Sequence, residues 1–224
     1  MYLTRFQINP ARRNARKLLS SPQAMHAAVR AAFAAPEDYE RDGTRTLWRL
    51  DSSPTATVHL YLVSPGRPDL THLVEQAGWP TTETWVTRDY DGLLGSLRPG
   101  QQWAFRLTAN PTHSGRKTAD AKETQRFGYL REPEQIAWLT NRTARHGFTL
   151  ATQHDGLPNL RLHRRQTHTF KRGTGTVTLT TAIYDGILHV TDTDAFRRAL
   201  TGGIGHAKAY GCGLLTLAPA QAGT

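Results

Sequence analysis

Apolar residues recur at Leu3, Phe6 and Ile8 in the opening "YLTRFQINP", a strand-like rhythm that Pro10 stops. A basic loop is expected next. "SPQAMHAAVRAAFAAP" then changes to helical spacing, with Ser21 as N-cap, Pro22 at the first helical position and Pro36 as the stop. "RTLWRLD" and "ATVHLYLVS" read as strands, "PDLTHLVEQAGW" as a helix ended by Gly78, and "QQWAFRLTANP" as a returning strand ended by Pro111.

Further on, "EPEQIAWLTNRTARHGF" reads as a helix and "TVTLTTAIYDGILHV" as a hairpin turning at Asp185 and Gly186. "TDTDAFRRALTGG" reads as a short helix and "CGLLTLAP" as a final strand. Thr112 to Leu130 is polar and basic, and is expected to be a long loop or weak strand between the halves. The order βαββαβ, met once completely and once in outline, predicts an α+β chain of tandem ferredoxin-like (RRM-like) domains. The expected division is an N-terminal domain over 1–112 and a C-terminal domain over 113–224.

Charge sharpens this picture. Lys and Arg number 28 against 18 Asp and Glu, a formal net charge of +10, as expected of a nucleic-acid partner. Residues 1–36 hold Arg5, Arg12, Arg13, Arg16, Lys17 and Arg30 and no acidic residue. A second excess runs from His113 to Arg172. Either cluster taken alone also fits a solvated surface. Cys212 is the single cysteine, which excludes an intrachain disulfide and a cysteine-based zinc site and suits a reducing compartment. No secretory signal or run of about 18 apolar residues is present, so a soluble, cytoplasmic protein without membrane contact is expected.

"GGIGHAKAYGCGLLTLAP", from Gly202 to Pro219, concentrates five glycines and Lys208 ahead of the last strand. Backbone amides freed by glycine, joined by a mobile lysine, suit a phosphate. The spacing matches neither a Walker A loop nor a dinucleotide fingerprint. A second reading stands beside the first: Gly202 and Gly203 stop a helix, while Gly211 and Gly213 admit a close backbone approach. No histidine pair has metal-ligand spacing with an acidic partner; His163 and His168 are interleaved with Arg164 and Arg165. No metal or cofactor is expected.

"GIGHAKAYGCGLLTLAP" closely resembles the C-terminal glycine-rich motif of the CasE family, the CRISPR-RNA-processing endoribonucleases of type I-E Cascade systems. "MYLTRFQINP", "QAMH", "LWRL", "FRLTANP", "EQIAWL" and "DGILHVTD" agree in the same order, spanning nearly the whole chain. The resemblance implies RNA on basic surface near the domain junction and His26 as the catalytic histidine. Histidine suits that chemistry, because RNA supplies its own 2′-oxygen nucleophile and the enzyme need only move protons near neutrality. Family members often carry a tyrosine three residues before the histidine, where Gln23 stands here, and basic residues just after it, where Ala27 and Ala31 stand. Arg30, one turn on, and Tyr2 are candidate supports.

The family's substrate is a repeat hairpin in CRISPR precursor RNA, and an A-form stem offers mainly phosphates, 2′-hydroxyls and shape. Stem contacts are therefore expected from Arg116, Lys117, Lys122 and Arg126 in the central segment and from Arg161, Arg164, Arg165, Lys171 and Arg172. Arg12, Arg13 and Arg30 join them from the first basic cluster. Gly203, Gly205, His206, Lys208 and Gly211, with Gly202 and Gly213, would hold the terminal loop against the RNA; His206 replaces a proline common in the motif. The resemblance also implies that the protein stays on the mature guide RNA beside other Cascade subunits. The competing expectations are a repeat-binding subunit that does not cut and a general RRM-type binder.

Overall fold

A computed structural model describes residues 1–53, 57–80, 85–116, 123–173 and 175–220. The opening alternation forms β1 (Tyr2–Ile8), which buries Phe6 and Ile8. The expected basic loop is instead a helix, α1 (Arg13–Ser20): Ala15 and Leu18 lie three residues apart, share one face and bury it, while the basic residues face out. Next comes α2 (Pro22–Arg30), with Ser21 accepting from the Ala24 amide at 3.2 Å and Pro22 in the first turn, as the sequence predicts. It ends at Arg30 rather than at Pro36, because the chain there tightens into three-residue bonds, the Ala32 amide to the Val29 carbonyl and the Phe33 amide to the Arg30 carbonyl.

A one-turn helix α3 (Pro36–Tyr39) leads to the two-residue strands β2 (Glu40–Arg41) and β3 (Thr44–Arg45). β4 (Leu47–Ser52), β5 (Val58–Ser64), α4 (Thr71–Ala77), β6 (Trp85–Asp89) and α5 (Asp91–Ser96) complete the first half. β4, β5, β1 and β6 form one antiparallel sheet in that order, the ferredoxin-like arrangement. α1, α2 and α4 bring Leu18, Met25, Val29 and Leu73 into one core with Phe6, Trp48 and Leu60 of this sheet. Each large apolar side chain so buried is worth about 1.5–3 kcal/mol.

The expected returning strand of this half, β7 (Gln102–Ala109), belongs to the second sheet. The shorter β6 has already taken the fourth position, so residues 1–112 include a strand of the other sheet. β8 (Thr112–Gly115) and β9 (Gln125–Gly128) pair as a small hairpin, followed by α6 (Glu132–Thr140), β10 (Phe148–Leu150), β11 (Leu160–Arg172), β12 (Gly175–Val190), α7 (Thr193–Gly202) and β13 (Leu215–Pro219). The second sheet runs β10, β12, β7, β13, with β11 also on β12.

The expected turn at Asp185 and Gly186 does not exist, because β12 runs unbroken through both. The hairpin closes instead between Arg172 and Gly175. Gly186 serves a different need, since a Cβ there would lie 2.3 Å from the Asn159 carbonyl oxygen. β10 and β11 occupy successive stretches of the same edge of β12, and residues 152–158 leave the ladder between them. β7 pairs with β12 only from Ala182 onward, so the distal β11–β12 hairpin extends past the sheet.

β4 joins the two sheets through the alternation of a strand. Trp48 packs with the first sheet's helices, whereas Leu47 enters the core of the second sheet with Phe105, Leu107 and Trp138. Arg49 points the same way as Leu47 and is only 2% exposed. Its guanidinium donates to the Arg106 carbonyl (2.8 Å), the Leu214 carbonyl (3.1 Å) and Thr216 Oγ1 (2.8 Å), and pairs with Asp51 at 2.7 and 2.8 Å. Arg106 continues the network to Asp185 at 2.7 and 2.6 Å, and His163 meets Asp185 at 2.9 Å. Burial pushes the Asp185 carboxyl up, but Arg106 and His163 outweigh it and hold it below the usual carboxylate range.

Candidate active site and nucleic-acid interface

Three segments distant in sequence meet around His26. α2 buries Met25, Ala28 and Val29, which leaves His26 half-buried at the edge of that face and Arg30 exposed one turn later. His72 of α4 anchors the helix through a 2.9 Å hydrogen bond with the Ala28 carbonyl. The imidazole lies between two tyrosine rings, each edge-on: Tyr39 at 6.4 Å and Tyr210 at 6.3 Å between centroids. Tyr210 belongs to the short 3-10 turn Lys208–Tyr210 in the glycine-rich segment. Its ring also meets Phe170 of the distal hairpin at 4.9 Å.

The surrounding charge is predominantly positive. Arg30 lies over the Tyr39 ring at 5.6 Å. Burial raises the Tyr39 phenol above its ordinary range although Arg45 and Arg30 oppose it, so this hydroxyl keeps its proton at neutral pH and can donate but not act as a base. Burial, then Arg45, lower the Lys208 ammonium, with Glu40 opposing them. Partial burial followed by Arg126, Lys208, Arg142 and Arg145 lowers His206. Half-buried His146 goes down to about 4 through burial, then Arg145, Lys208 and Arg142. Cations gathered at this density suit an anionic ligand with closely spaced charges.

The glycines of the terminal segment make room for bulky neighbours. At Gly211 (φ +81°) a Cβ would stand 2.7 Å from the Trp48 ring, and at Gly205 (φ +84°) 2.8 Å from the Trp138 ring. Gly203 caps α7 against Leu47, Gly213 crosses Ile204, and Gly202 ends α7. The segment is thereby pressed onto both cores, and Lys208 and Tyr210 are carried to α2. Close packing, the second of the two readings of these glycines, accounts for this geometry.

The other sequence-predicted residues divide into groups. Arg13, Arg116, Arg126, Arg161, Arg164, Arg165, Lys171 and His206 are exposed. Arg12 donates to the Val74, Glu75 and Gly78 carbonyls at 2.8, 2.9 and 3.3 Å, which caps the end of α4. Arg165 ties the hairpin to α6 through Gln135, Glu132 and the Leu130 carbonyl. Arg161 lines a separate cavity with Arg49, Asp51 and Tyr61. Lys171 reaches across the hairpin to Thr176 at 3.2 Å. Lys117 and Lys122 lie outside the described residues, as does the side chain of Arg172 on β11. Tyr39, Arg45 and Tyr210 were missed by sequence reasoning; only Tyr210 carried a signal, its place inside the glycine-rich motif.

Among the described residues, no group of three or more histidine, cysteine or acidic side chains is placed to hold a metal ion. Nor is any described helix long and apolar enough to cross a membrane.

The sequence profile of a family described as CRISPR associated protein matches residues 1–219. The CRISPR-associated endoribonuclease Cse3 of Thermus thermophilus is 30% identical, over 98% of this chain and all of the relative. The Cascade subunit CasE of Escherichia coli is 33% identical over 55% of this chain and 61% of its own. Among solved structures, Thermus thermophilus Cse3 bound to an RNA representing a pre-cleavage complex superimposes with a TM-score of 0.76 at 30% identity, covering 97% of this chain and 98% of the other. Profile, full-length identity and tandem ferredoxin-like fold agree: the chain belongs to the CRISPR-associated protein family, with the endoribonuclease Cse3 and the Cascade subunit CasE among its relatives.

Proposed function

We propose that this chain is a metal-independent endoribonuclease that binds the repeat hairpin of CRISPR precursor RNA and cuts at its base, then stays on the guide RNA as a Cascade subunit in the cytoplasm. One observation carries the reading: Tyr210 touches both His26 and Phe170, so the candidate acid–base group, the glycine-rich segment and the hairpin converge on one spot. Relatives whose names state RNA cleavage support it. We also place the boundary between the two modules within residues 90–101, where the chain leaves one sheet for the other.

In the reaction the 2′-oxygen loses its proton and attacks the adjacent phosphorus, and the P–O5′ bond breaks as the departing oxygen takes up a proton. The ends are a 2′,3′-cyclic phosphate and a 5′-hydroxyl. His26 transfers a proton at one of these oxygens. Arg30, Arg45 and Lys208 stabilise the charge that builds on the phosphoryl oxygens, and Tyr39 donates a hydrogen bond. Arg13, Arg116, Arg126, Arg164 and Lys171 hold the stem by its phosphates.

The test is cleavage of cognate repeat RNA in EDTA. Wild type is expected to cut; His26→Ala to bind with similar affinity and cut about 10²–10⁴-fold more slowly. A 2′-deoxy substitution at the scissile nucleotide should block cutting. Equal rates for the variant would remove His26 from the mechanism, and wild-type binding without cutting would leave a subunit that only holds the hairpin.

A further inference from the structure

Beside the candidate active site lies a cavity of about 410 Å³, a volume within the range of small-ligand sites. α1 and α2 form one side, the edge strand β4 another, and β7 with the β11–β12 hairpin the rest. We propose that this cavity receives one unpaired nucleobase of the RNA, from a nucleotide next to the linkage that His26 cleaves. The proposal rests on the nuclease reading above and adds how the reacting nucleotide is held.

The walls suit a flat heterocycle. Met25, Leu50, Leu179 and Ile183 supply apolar surface. Trp48, 2% exposed, lines the cavity, and its indole N–H is buried without a hydrogen-bond partner among the described residues. The Thr108 hydroxyl, on the facing sheet, is likewise buried and unpartnered among them. Buried polar atoms normally find partners, so a donor and a hydroxyl left over in one cavity whose walls mix apolar surface with Ser20, Gln166 and Thr181 point to a ligand with polar edges and apolar faces. A nucleobase has that form. A phosphate does not, since the basic side chains of this cavity, Arg164 and His168, are on exposed hairpin positions rather than among the apolar walls.

Position supplies the second argument. Tyr210 lines the cavity and its ring stands 6.3 Å from the imidazole of His26, so cavity and site share a wall. Arg164 sits where the β11 ladder shifts register between His163 and Gln166, at φ +48°, and donates to the Ser52 carbonyl of β4 at 2.8 Å. The bulge thus draws the hairpin toward β4, with Arg164 set to meet the phosphate of the nucleotide whose base is inside. Pulling a base out of its stack fixes the torsions of its own sugar–phosphate link, which an in-line attack by the 2′-oxygen requires.

Repeat RNAs carrying one abasic residue at successive positions around the scissile linkage, each keeping its 2′-hydroxyl, would be cut by the full chain under single-turnover conditions. At one position the cleavage rate is expected to fall at least tenfold, with a smaller change in binding. Thr108→Val should slow cutting of native RNA and add nothing further on that abasic RNA, the non-additivity of two changes to one contact. Binding of RNA labelled with 2-aminopurine to His26→Ala reads base burial without any cutting: a shift in emission is expected at that position alone. If native RNA is cut while every abasic RNA matches it within twofold and the label is indifferent everywhere, the base pocket is wrong and the nuclease stands. If the label responds at one position but native RNA is never cut, the pocket survives and the nuclease reading fails.

Discussion

The two sheets share one antiparallel strand order and use it differently. The first is plain: four strands of five to seven residues, with the helix bearing His26 packed on one face. The second is elaborated, with a divided edge strand, a hairpin reaching past the sheet and a glycine-rich return before its last strand. In the nuclease proposed above, the chemistry rests on a helix with one buried face, while the basic side chains offered to RNA stand on exposed positions of the hairpin. The buried arginine of β4 bonds to both sheets, which makes it the place to test whether the halves depend on each other.

Arg49→Ala is expected to have the largest effect on stability, about 3–5 kcal/mol, because it leaves two buried carbonyls and Asp51 without their guanidinium. Thermal or urea unfolding would show it; a loss below about 1 kcal/mol would mean that the sheets associate without this contact. Gly211→Ala comes next at about 1–3 kcal/mol, through its positive φ and the Trp48 ring in the way of a Cβ. That variant should also cut RNA more slowly, since Lys208 and Tyr210 hang from the same segment.

Acid separates the halves more gently. His146 of the second half titrates near 4 when folded and near 6.5 when unfolded, so the unfolded chain binds the extra proton. Its contribution is whole above about pH 6.5 and drains away as the pH falls toward 4. Asp185, depressed by Arg106 and His163, adds a second loss below the ordinary carboxylate range. Melting temperature followed from pH 7 to pH 3 should fall in these two windows, and His146→Gln should flatten the first. Smallest of all is Lys171→Ala on the exposed hairpin: within about 0.5 kcal/mol in stability, yet lowering the salt dependence of RNA binding by nearly one phosphate contact. An unchanged salt slope would remove Lys171 from the interface.

Local rhythm made the first half legible. Ser21 and Pro22 start a helix where the pattern places one, and the alternations at Leu3 to Ile8 and in "VHLYLVS" form the expected strands. Errors came where a local signal had a distant cause. Asp185–Gly186 has turn chemistry, but Gly186 is small because Asn159 passes close by and Asp185 is acidic because Arg106 lies across the ladder. β7 has the sequence of a strand, and nothing local says which sheet it joins. His26 stood out through the resemblance to a family, whereas Tyr39 reaches it only through the turn that follows α2, and Arg45 stands beside Tyr39 and Lys208. Arg12 and Arg165 were read as ligands for RNA from their charge; their neighbours in the fold are carbonyls and amides of the chain itself.

The excursion of residues 151–159 is tied to β12 at its ends, where Ala151 donates to the Ile187 carbonyl and Asn159 accepts from the Ile187 amide. Leu150 faces Leu188 and Leu160 faces Gly186, so pairing resumes two positions along while nine residues have passed. Loop length there is decoupled from strand alignment. Insertions within the exposed residues 152–158 are expected to leave the hairpin's aim unaltered, which makes that stretch the natural spot for grafting a label or an affinity tag away from the half that bears His26.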